Sequence, residues 1–406
     1  MLANQRSTSG VKGGSGIRAM FELGTQYRKE GKQPIDLSIG NPDIRPPEIY
    51  YSTLSDIIAS RHSSSDNMHK YMPNAGYLDT REVVARDLEP RLGSSFSAAD
   101  IVMTAGAANA LDVSLMTIIE PGVQDEVIVV APCFVEYQNY IENNRGRQVL
   151  VHASIDFDLD LDALESAITS RTRALIINSP NNPTGRIYSE ETLRALGDLL
   201  DRKNQEYGIE IIVLEDAPYD RLVFGSVRYE SLMMWYRGTI YLTSFSKSLG
   251  LAGERIGYLA MHPQIGQDDE TRQIFRAALG TNLRTRVVNA PGLQQKVIAK
   301  IGLNQSIPVG EYESRVNRLA DTLESLGFPL VRPQGAFYLF PQLPDRFASE
   351  EAFRALAHSG EDPLLYTPGR FFGGMEYDRY IRLAACASSA DVERGCEKLK
   401  RIANAP

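Results

Sequence analysis

The stretch Thr239-Ile-Tyr-Leu-Thr-Ser-Phe-Ser-Lys247-Ser-Leu-Gly-Leu-Ala-Gly-Glu-Arg255-Ile-Gly257 joins an apolar run to a lysine among hydroxyl side chains. Residues 239–243 predict a short buried strand, and Lys247 follows the carboxyl end of that strand. In an open parallel sheet, ligands bind beyond the carboxyl ends of the strands. A lone lysine after a strand is usually a surface residue, but the complete stretch favours a functional lysine.

The residues around Lys247 suit a Schiff base beside a phosphate group. A lysine that forms a Schiff base must be deprotonated, and desolvation or a nearby cation lowers its pKa. Ser244, Ser246 and Arg255 supply hydroxyl and guanidinium donors, which form charge-assisted hydrogen bonds with phosphate oxygens. The stretch therefore predicts a Schiff-base lysine with a phosphate bound next to it.

Similar apolar runs recur along the chain between helical patterns. They span residues 100–103, 126–131, 148–151, 174–178, 210–214, 239–243 and 256–261. Such runs predict a buried, mostly parallel central sheet, so the expected fold class is α/β. We assign residues 46–292 to this large domain and residues 17–45 and 293–406 to a smaller α+β domain. Residues 1–16 are polar and rich in Gly and Ser, and predict a flexible tail.

Acidic residues follow the predicted strand 210–214, in the sequence Glu215-Asp216-Ala-Pro-Tyr219. A buried carboxylate that faces a pyridine nitrogen keeps that nitrogen protonated, and the protonated ring accepts electrons. Asp216 is the candidate for this role, and Tyr219 is placed to bind a ring hydroxyl. Taken alone, the acidic pair would more often cap a helix.

An asparagine-rich loop follows the predicted strand 174–178, in the sequence Asn178-Ser-Pro-Asn-Asn182-Pro-Thr-Gly185. Its proline and glycine residues impose a fixed loop, in which an amide can donate a hydrogen bond to a phenolate oxygen. Asn182 is the candidate donor. The same motif also occurs as a purely structural turn.

Small residues follow the predicted strand 100–103, in the sequence Gly106-Ala107-Ala108. They leave unobstructed backbone amides at a helix N-terminus, which is an anion site, although close helix packing selects the same residues. Phe134 follows the predicted strand 126–131 and is a candidate to stack on a planar ring. A core aromatic is the commoner explanation for such a residue.

An arginine interrupts the apolar pattern Tyr380-Ile-Arg382-Leu-Ala-Ala-Cys386. An unpaired charge inside a strand of this kind would be costly. A bidentate carboxylate ligand would offset that cost, and an internal salt bridge would do so equally well. The sequence leaves both explanations open.

The formal net charge of -8 argues against a nucleic-acid or anionic membrane surface, because both would favour clustered Lys and Arg. Cys133, Cys386 and Cys396 are widely spaced, so the sequence indicates neither a disulfide framework nor a metal site. We find neither a signal peptide nor an apolar run long enough for a membrane span, and therefore expect a cytoplasmic protein.

In order and spacing, these motifs resemble those of the class I and II aminotransferase family, whose members are fold type I enzymes dependent on pyridoxal 5′-phosphate (PLP). The resemblance implies an internal aldimine between PLP and Lys247, and transfer of an amino group between an L-amino acid and a 2-oxo acid. It implies that Asp216 contacts the pyridine nitrogen, that Asn182 and Tyr219 contact the ring oxygen, and that Phe134 stacks on the ring. The implied phosphate contacts are Gly106, Ala107, Ala108, Ser244, Ser246 and Arg255.

The resemblance also implies contacts with the substrate and with a second subunit. Arg382 resembles the family's arginine for the substrate α-carboxylate, with Gly40 and Asn182 nearby. Tyr71 resembles a tyrosine that reaches the phosphate of the neighbouring subunit. The implied assembly is a homodimer with composite active sites.

The cofactor motifs do not fix the reaction, because one fold supports many chemistries. A PLP-dependent lyase, cyclase, eliminating or oxidative enzyme acting on an amino acid is the alternative to an aminotransferase. A silent binding protein is disfavoured, because Lys247, Asp216 and Arg382 are all present. The substrate stays open: Arg284 or Arg286 would suit a dicarboxylate if they reach the site, but both would serve equally as surface charges.

Overall fold

The structure, a computed structural model, describes residues 16–60 and 69–404. The strands are β1 (Ile35–Asp36), β2 (Ile101–Thr104), β3 (Glu126–Ala131), β4 (Arg147–His152), β5 (Thr172–Asn178), β6 (Ile212–Asp216), β7 (Thr239–Ser244), β8 (Gly257–Met261), β9 (Tyr338–Leu339), β10 (Leu364–Leu365), β11 (Thr367–Pro368) and β12 (Ile381–Ala384). The α-helices are α1 (Gly16–Lys29), α2 (Glu48–Ala59), α3 (Leu78–Leu92), α4 (Ala107–Ile118), α5 (Tyr137–Asn143), α6 (Leu161–Ala167), α7 (Glu190–Tyr207), α8 (Phe245–Ser248), α9 (Asp269–Val287), α10 (Gly292–Ile301), α11 (Val309–Ser325), α12 (Glu350–Ala357) and α13 (Ser389–Ala403).

Within the described residues, the central sheet has seven strands in the order β2-β8-β7-β6-β5-β3-β4. Neighbouring strands from β7 to β4 are parallel, and β8 is antiparallel to both β7 and β2. Each strand of this sheet overlaps one of the apolar runs predicted from the sequence. The predicted fold class, α/β with a mostly parallel central sheet, is confirmed.

The central strands are apolar along their whole length because helices cover both faces of the sheet. In β5, Ala174 and Ile176 pack in one hydrophobic core, whereas Leu175 and Ile177 pack in another on the opposite face. Side chains of α4 share the first core and side chains of α7 share the second. A strand buried on both faces loses the polar alternation of a surface strand, and this is why the runs could be recognised from the sequence.

A smaller region of two short sheets accompanies the large one. Strand β1 pairs in parallel with β10, and β12 lies between β11 and β9 in an antiparallel sheet. Helices α11 and α13 pack on these strands around one hydrophobic core. The arrangement matches the predicted α+β character of this region.

The predicted domain limits stay a prediction, and the structure bears on two of them. Residues 1–15 lie outside the described part of the chain, and Gly16 begins α1. Helix α10 packs against α2 and α3, and its Val297 and Ile298 share a core with β2. We therefore propose that the large domain extends past residue 292.

Among the described residues, no helix has the length and apolar character needed to cross a bilayer.

The parallel direction of four strands determines where polar residues meet. Strands β3, β5, β6 and β7 end at Ala131, Asn178, Asp216 and Ser244. Because these strands are parallel neighbours, their carboxyl ends lie along one edge of the sheet. The loops that carry the predicted site residues therefore start from the same edge.

Candidate active site

A cavity of about 330 Å³ lies at the carboxyl edge of the sheet. This volume is typical of a small-molecule site. Its walls include most of the residues singled out in the sequence, namely Gly40, Ala107, Ala108, Phe134, Asn182, Asp216, Tyr219, Ser244, Ser246, Lys247, Arg255 and Arg382. The fold thus brings residues from both regions of the chain to one cavity.

Lys247 lies in α8, immediately after β7, and its amine points into the cavity. The Nζ atom donates a hydrogen bond to the carbonyl oxygen of Gly40. The pKa of Lys247 is lowered to about 8, mainly by burial; Cys386 acts in the opposite direction, and the positive charges of Arg382 and Arg255 add to the lowering. A neutral amine, which is the nucleophilic form, is therefore available near neutral pH.

Asp216 is buried at the end of β6 and has one free carboxylate oxygen. Its Oδ2 accepts a hydrogen bond of 2.6 Å from the hydroxyl of Tyr137. Its Oδ1 has no hydrogen-bond partner among the described residues. Burial raises the pKa of Asp216 to about 6, and the hydrogen bond from Tyr137 opposes that rise. A cationic nitrogen beside Oδ1 would satisfy both the oxygen and the charge.

The start of α4 forms an anion site together with Arg255. Gly106 precedes the helix with a φ of 93°, and a Cβ atom there would lie 2.7 Å from Nη2 of Arg255. Glycine is therefore needed both for the backbone conformation and for the approach of the guanidinium group. Ser244 and Ser246 line the same cavity. The helix N-terminus, the hydroxyls and the guanidinium all favour a bound phosphate.

Arg382 is 1% exposed and has no carboxylate partner among the described residues. Its Nη1 donates a hydrogen bond of 3.0 Å to Oδ1 of Asn182, and Nη2 donates to the carbonyl oxygen of Ser38. Within the described part of the chain, its Nε has no hydrogen-bond partner. The rings of Tyr338 and Phe372 lie 4.5 Å and 5.0 Å from the guanidinium carbon. Of the two explanations that the sequence left open, the internal salt bridge is absent from the described residues.

The unsatisfied groups of the cavity match the chemical groups of PLP. The free oxygen of Asp216 suits the pyridine nitrogen, and the neutral amine of Lys247 suits the aldehyde. The helix N-terminus at Gly106, together with the guanidinium of Arg255, suits the phosphate. The residues present therefore fit this cofactor.

A family model described as aminotransferase class I and II matches residues 32–399. The chain belongs to this family. Its cofactor is PLP, and it is an aminotransferase.

Relatives and a solved structure extend this result to nearly the whole chain. The aminotransferase is 28% identical over 395 residues to a probable aspartate aminotransferase of Methanocaldococcus jannaschii, with 96% of each chain covered. It is 28% identical over 395 residues to aromatic-amino-acid aminotransferase 2 of Thermococcus litoralis, covering 96% of this chain and 95% of that protein. The crystal structure of an amino transferase from Eubacterium rectale has a TM-score of 0.89 and 32% identity, covering 99% of this chain and 98% of that one.

Two tyrosines of the aminotransferase site were not identified from the sequence. The hydroxyl of Tyr338 lies 3.0 Å from that of Tyr219, and its oxygen lies 1.9 Å from where a Cβ atom of residue 40 would be. Gly40 is therefore required by the position of Tyr338. Tyr137 lies three residues after Phe134, but its contact with Asp216 depends on how β3 and β6 are placed in the sheet. Only the spacing from Phe134 could have drawn attention to it.

Other candidates of the aminotransferase lie outside the cavity in the single chain. Arg286 forms a salt bridge of 3.1 Å with Asp112, and Arg284 is exposed on α9. Tyr71 is 89% exposed and lines a separate surface groove with Val287 and other residues. The chain's own fold does not bring these three predicted residues to the site.

The burial of Asp216 predicts that the stability of the apoprotein falls as the pH rises. Its pKa in the folded state, about 6, is above the ordinary value of 3.8, so the folded protein holds its proton more tightly than the unfolded chain does. The resulting stabilisation is present below pH 4 and is lost as the pH rises through 6. At pH 8, Asp216→Asn should therefore have a larger free energy of unfolding than the parent apoprotein, by roughly 3 kcal/mol, as measured by urea denaturation. The difference should vanish at pH 4, and a gain that does not change with pH would contradict this assignment.

Proposed function

We propose that this cavity is the active site of the aminotransferase, with Lys247 holding PLP and Arg382 binding the α-carboxylate of an amino acid. The observation that carries the proposal is the pairing of two groups in one cavity. Lys247 has an amine that is readily deprotonated, and Arg382 is a buried cation without a carboxylate among the described residues. An amino acid supplies a carboxylate for Arg382 and an amino group that would react near Lys247.

The carboxylate of a substrate would offset the cost of burying Arg382. A guanidinium group binds a carboxylate in a bidentate way, and the hydrogen bonds are charge-assisted. The hydrogen bonds to Asn182 and Ser38 hold the group in place, and Nε has no acceptor in the residues that the structure describes. The flanking rings of Tyr338 and Phe372 restrict it to one plane. The arginine is thus oriented before a substrate arrives.

The remaining residues would hold the cofactor. Asp216 would keep a proton on the pyridine nitrogen, Asn182 and Tyr219 would donate to the ring oxygen, and Phe134 would stack on the ring. The phosphate would be bound by Gly106, Ala107, Ala108, Ser244, Ser246 and Arg255. PLP, when bound, supplies a sink for the electrons left on Cα when its proton is removed.

Lys247 would act as the proton carrier. Its amine is a base whose pKa is lowered by burial and by the charges of Arg382 and Arg255. It would take the Cα proton of the substrate at Nζ and hold that proton for its later return. The named relatives are aminotransferases, and nothing in them favours the lyase alternative.

A homodimer with composite sites and a cytoplasmic location complete the proposal. Tyr71 and the neighbouring groove residues Val287 and Val288 are exposed, as expected of residues that a second subunit would cover. Cys133, Cys386 and Cys396 are free and buried, which suits a reducing compartment.

The reaction class can be tested in a single turnover. Purified holoenzyme mixed with an amino acid, without any 2-oxo acid, should release one equivalent of 2-oxo acid per bound cofactor and then stop. Mass spectrometry of the product should show that an oxo oxygen has replaced the amino group and that the carbon skeleton is intact, and a new 2-oxo acid should restart turnover. Continued turnover without an acceptor would instead support the lyase or oxidase alternative.

The proposed role of Arg382 predicts that its replacement weakens discrimination between an amino acid and the matching amine. The parent enzyme should prefer an amino acid over the matching amine without a carboxylate, and Arg382→Met should reduce that preference by about 100-fold, because a charge-assisted pair is lost. The comparison uses kcat/KM for both substrates, so that a general loss of activity cancels. A variant that keeps the preference would remove Arg382 from the substrate site.

The composite site can be tested by mixing subunits. Lys247→Ala and Tyr71→Ala should each be impaired as homodimers. In a hybrid of the two, the site that retains Lys247 would receive an intact Tyr71 from the other subunit, so activity should rise above that of both parents. A hybrid with no gain would show that Tyr71 does not act across the interface.

A further inference from the structure

One tyrosine joins two of the proposed cofactor contacts at the base of the cavity. Tyr137 is the first residue of α5 and is 1% exposed. Its hydroxyl donates to Oδ2 of Asp216 over 2.6 Å. Its ring meets that of Phe134 edge to face, with centroids 5.6 Å apart. Tyr137 therefore contacts both the proposed ring-stacking residue and the proposed partner of the pyridine nitrogen.

The hydrogen bond from Tyr137 fixes the orientation of the Asp216 carboxylate. A carboxylate can rotate, and its two oxygens are equivalent until one of them is bound. Because Oδ2 is bound to Tyr137, Oδ1 is the oxygen left for another partner, and among the described residues it has none. The backbone is held as well, since Asn178 donates from Nδ2 to the carbonyl oxygen of Asp216 over 2.7 Å.

The same hydrogen bond favours the charged form of the carboxylate. Burial raises the pKa of Asp216, and the bond from Tyr137 lowers it. Tyr140 and Tyr219 also face this carboxylate, and burial raises the pKa of both hydroxyls. Within residues 16–60 and 69–404, only Tyr137 donates a hydrogen bond to the Asp216 side chain, and no Lys, Arg or His forms an ion pair with it.

We propose that Tyr137 is a positioning residue for the transamination reaction, whose hydroxyl holds Asp216 ionised and turned toward the pyridine nitrogen of PLP. The inference rests on the proposed role of Asp216. Tyr137 lines the cavity, but in this role it acts through the carboxylate of Asp216. Its ring also supports Phe134, so the hydroxyl and the ring have separable contributions.

The variant Tyr137→Phe tests the hydroxyl alone, because the ring and its contact with Phe134 are kept. Tyr229→Phe is a matched control. The hydroxyl of Tyr229 donates to Oε1 of Glu215, the residue before Asp216 in β6, over an equal distance of 2.6 Å. Both variants thus remove one tyrosine hydroxyl from a buried carboxylate of the same strand, and only one of those carboxylates lines the cavity.

The first measurement is the dissociation constant of PLP for each apoprotein as a function of pH. Tyr137→Phe should weaken PLP binding by about tenfold at pH 7, the size expected for a hydrogen bond to a charged group. The affinity should also be lost at a higher pH than in the parent as the solution is acidified, because the carboxyl now takes up its proton more readily. Tyr229→Phe should change the affinity by less than about twofold. Equal losses in the two variants, or an unchanged Tyr137→Phe, would overturn the proposal.

Kinetics and a double variant give independent readouts. Tyr137→Phe should lower kcat while the KM for the amino acid changes little, since Arg382 is untouched. In an Asp216→Asn background, adding Tyr137→Phe should cost little further PLP affinity, whereas additive losses would show that the hydroxyl does not act through Asp216. If Asp216→Asn itself retains full PLP affinity, the proposed role of Asp216 fails. If Asp216→Asn weakens PLP and Tyr137→Phe does not, only the role of Tyr137 fails.

Discussion

Three ionisable groups around one cavity are removed from water, and the rest of the site depends on this constraint. Lys247, Asp216 and Arg382 are each shifted toward their neutral forms by burial. Such groups would destabilise an ordinary core, because a buried charge must find a partner. In the proposed active site, PLP and an amino acid would supply the missing partners. The desolvation that lowers the stability of the apoprotein therefore also raises its affinity for ligands that supply these partners.

The fold tolerates these groups because the surrounding frame is apolar and rigid. The central strands are buried on both faces, and their carboxyl ends meet at one edge. Two glycines allow close approach at that edge: Gly106 admits the guanidinium of Arg255, and Gly40 admits the hydroxyl of Tyr338. The polar residues therefore lie at or just beyond the ends of buried strands, where the two glycines allow close approach.

Much of this could be predicted from the sequence, because the decisive signals are local. The strands were recognisable from apolar runs, and the candidate residues follow those runs directly, as Lys247 follows β7 and Asp216 ends β6. What could not be predicted are the contacts between segments far apart in the chain. The bond from Tyr137 to Asp216 and the contact of Tyr338 with Gly40 depend on which strands are neighbours and on how the two regions meet. The predicted domain limit at residue 292 also depends on such contacts, because the packing partners of α10 cannot be read from its own sequence.

The sequence by itself determined the α/β class, the order of the motifs and the chemical types of residue at each strand end, because strand burial and motif spacing are written along the chain. Only the tertiary structure decided the state of those residues. Arg382 could have had an internal salt bridge, and Arg286 could have reached the cavity, but the first has no carboxylate partner in the described residues and the second pairs with Asp112. The physical reason is that the pairing and protonation of a charged group depend on its neighbours in space. Those neighbours come from distant parts of the chain.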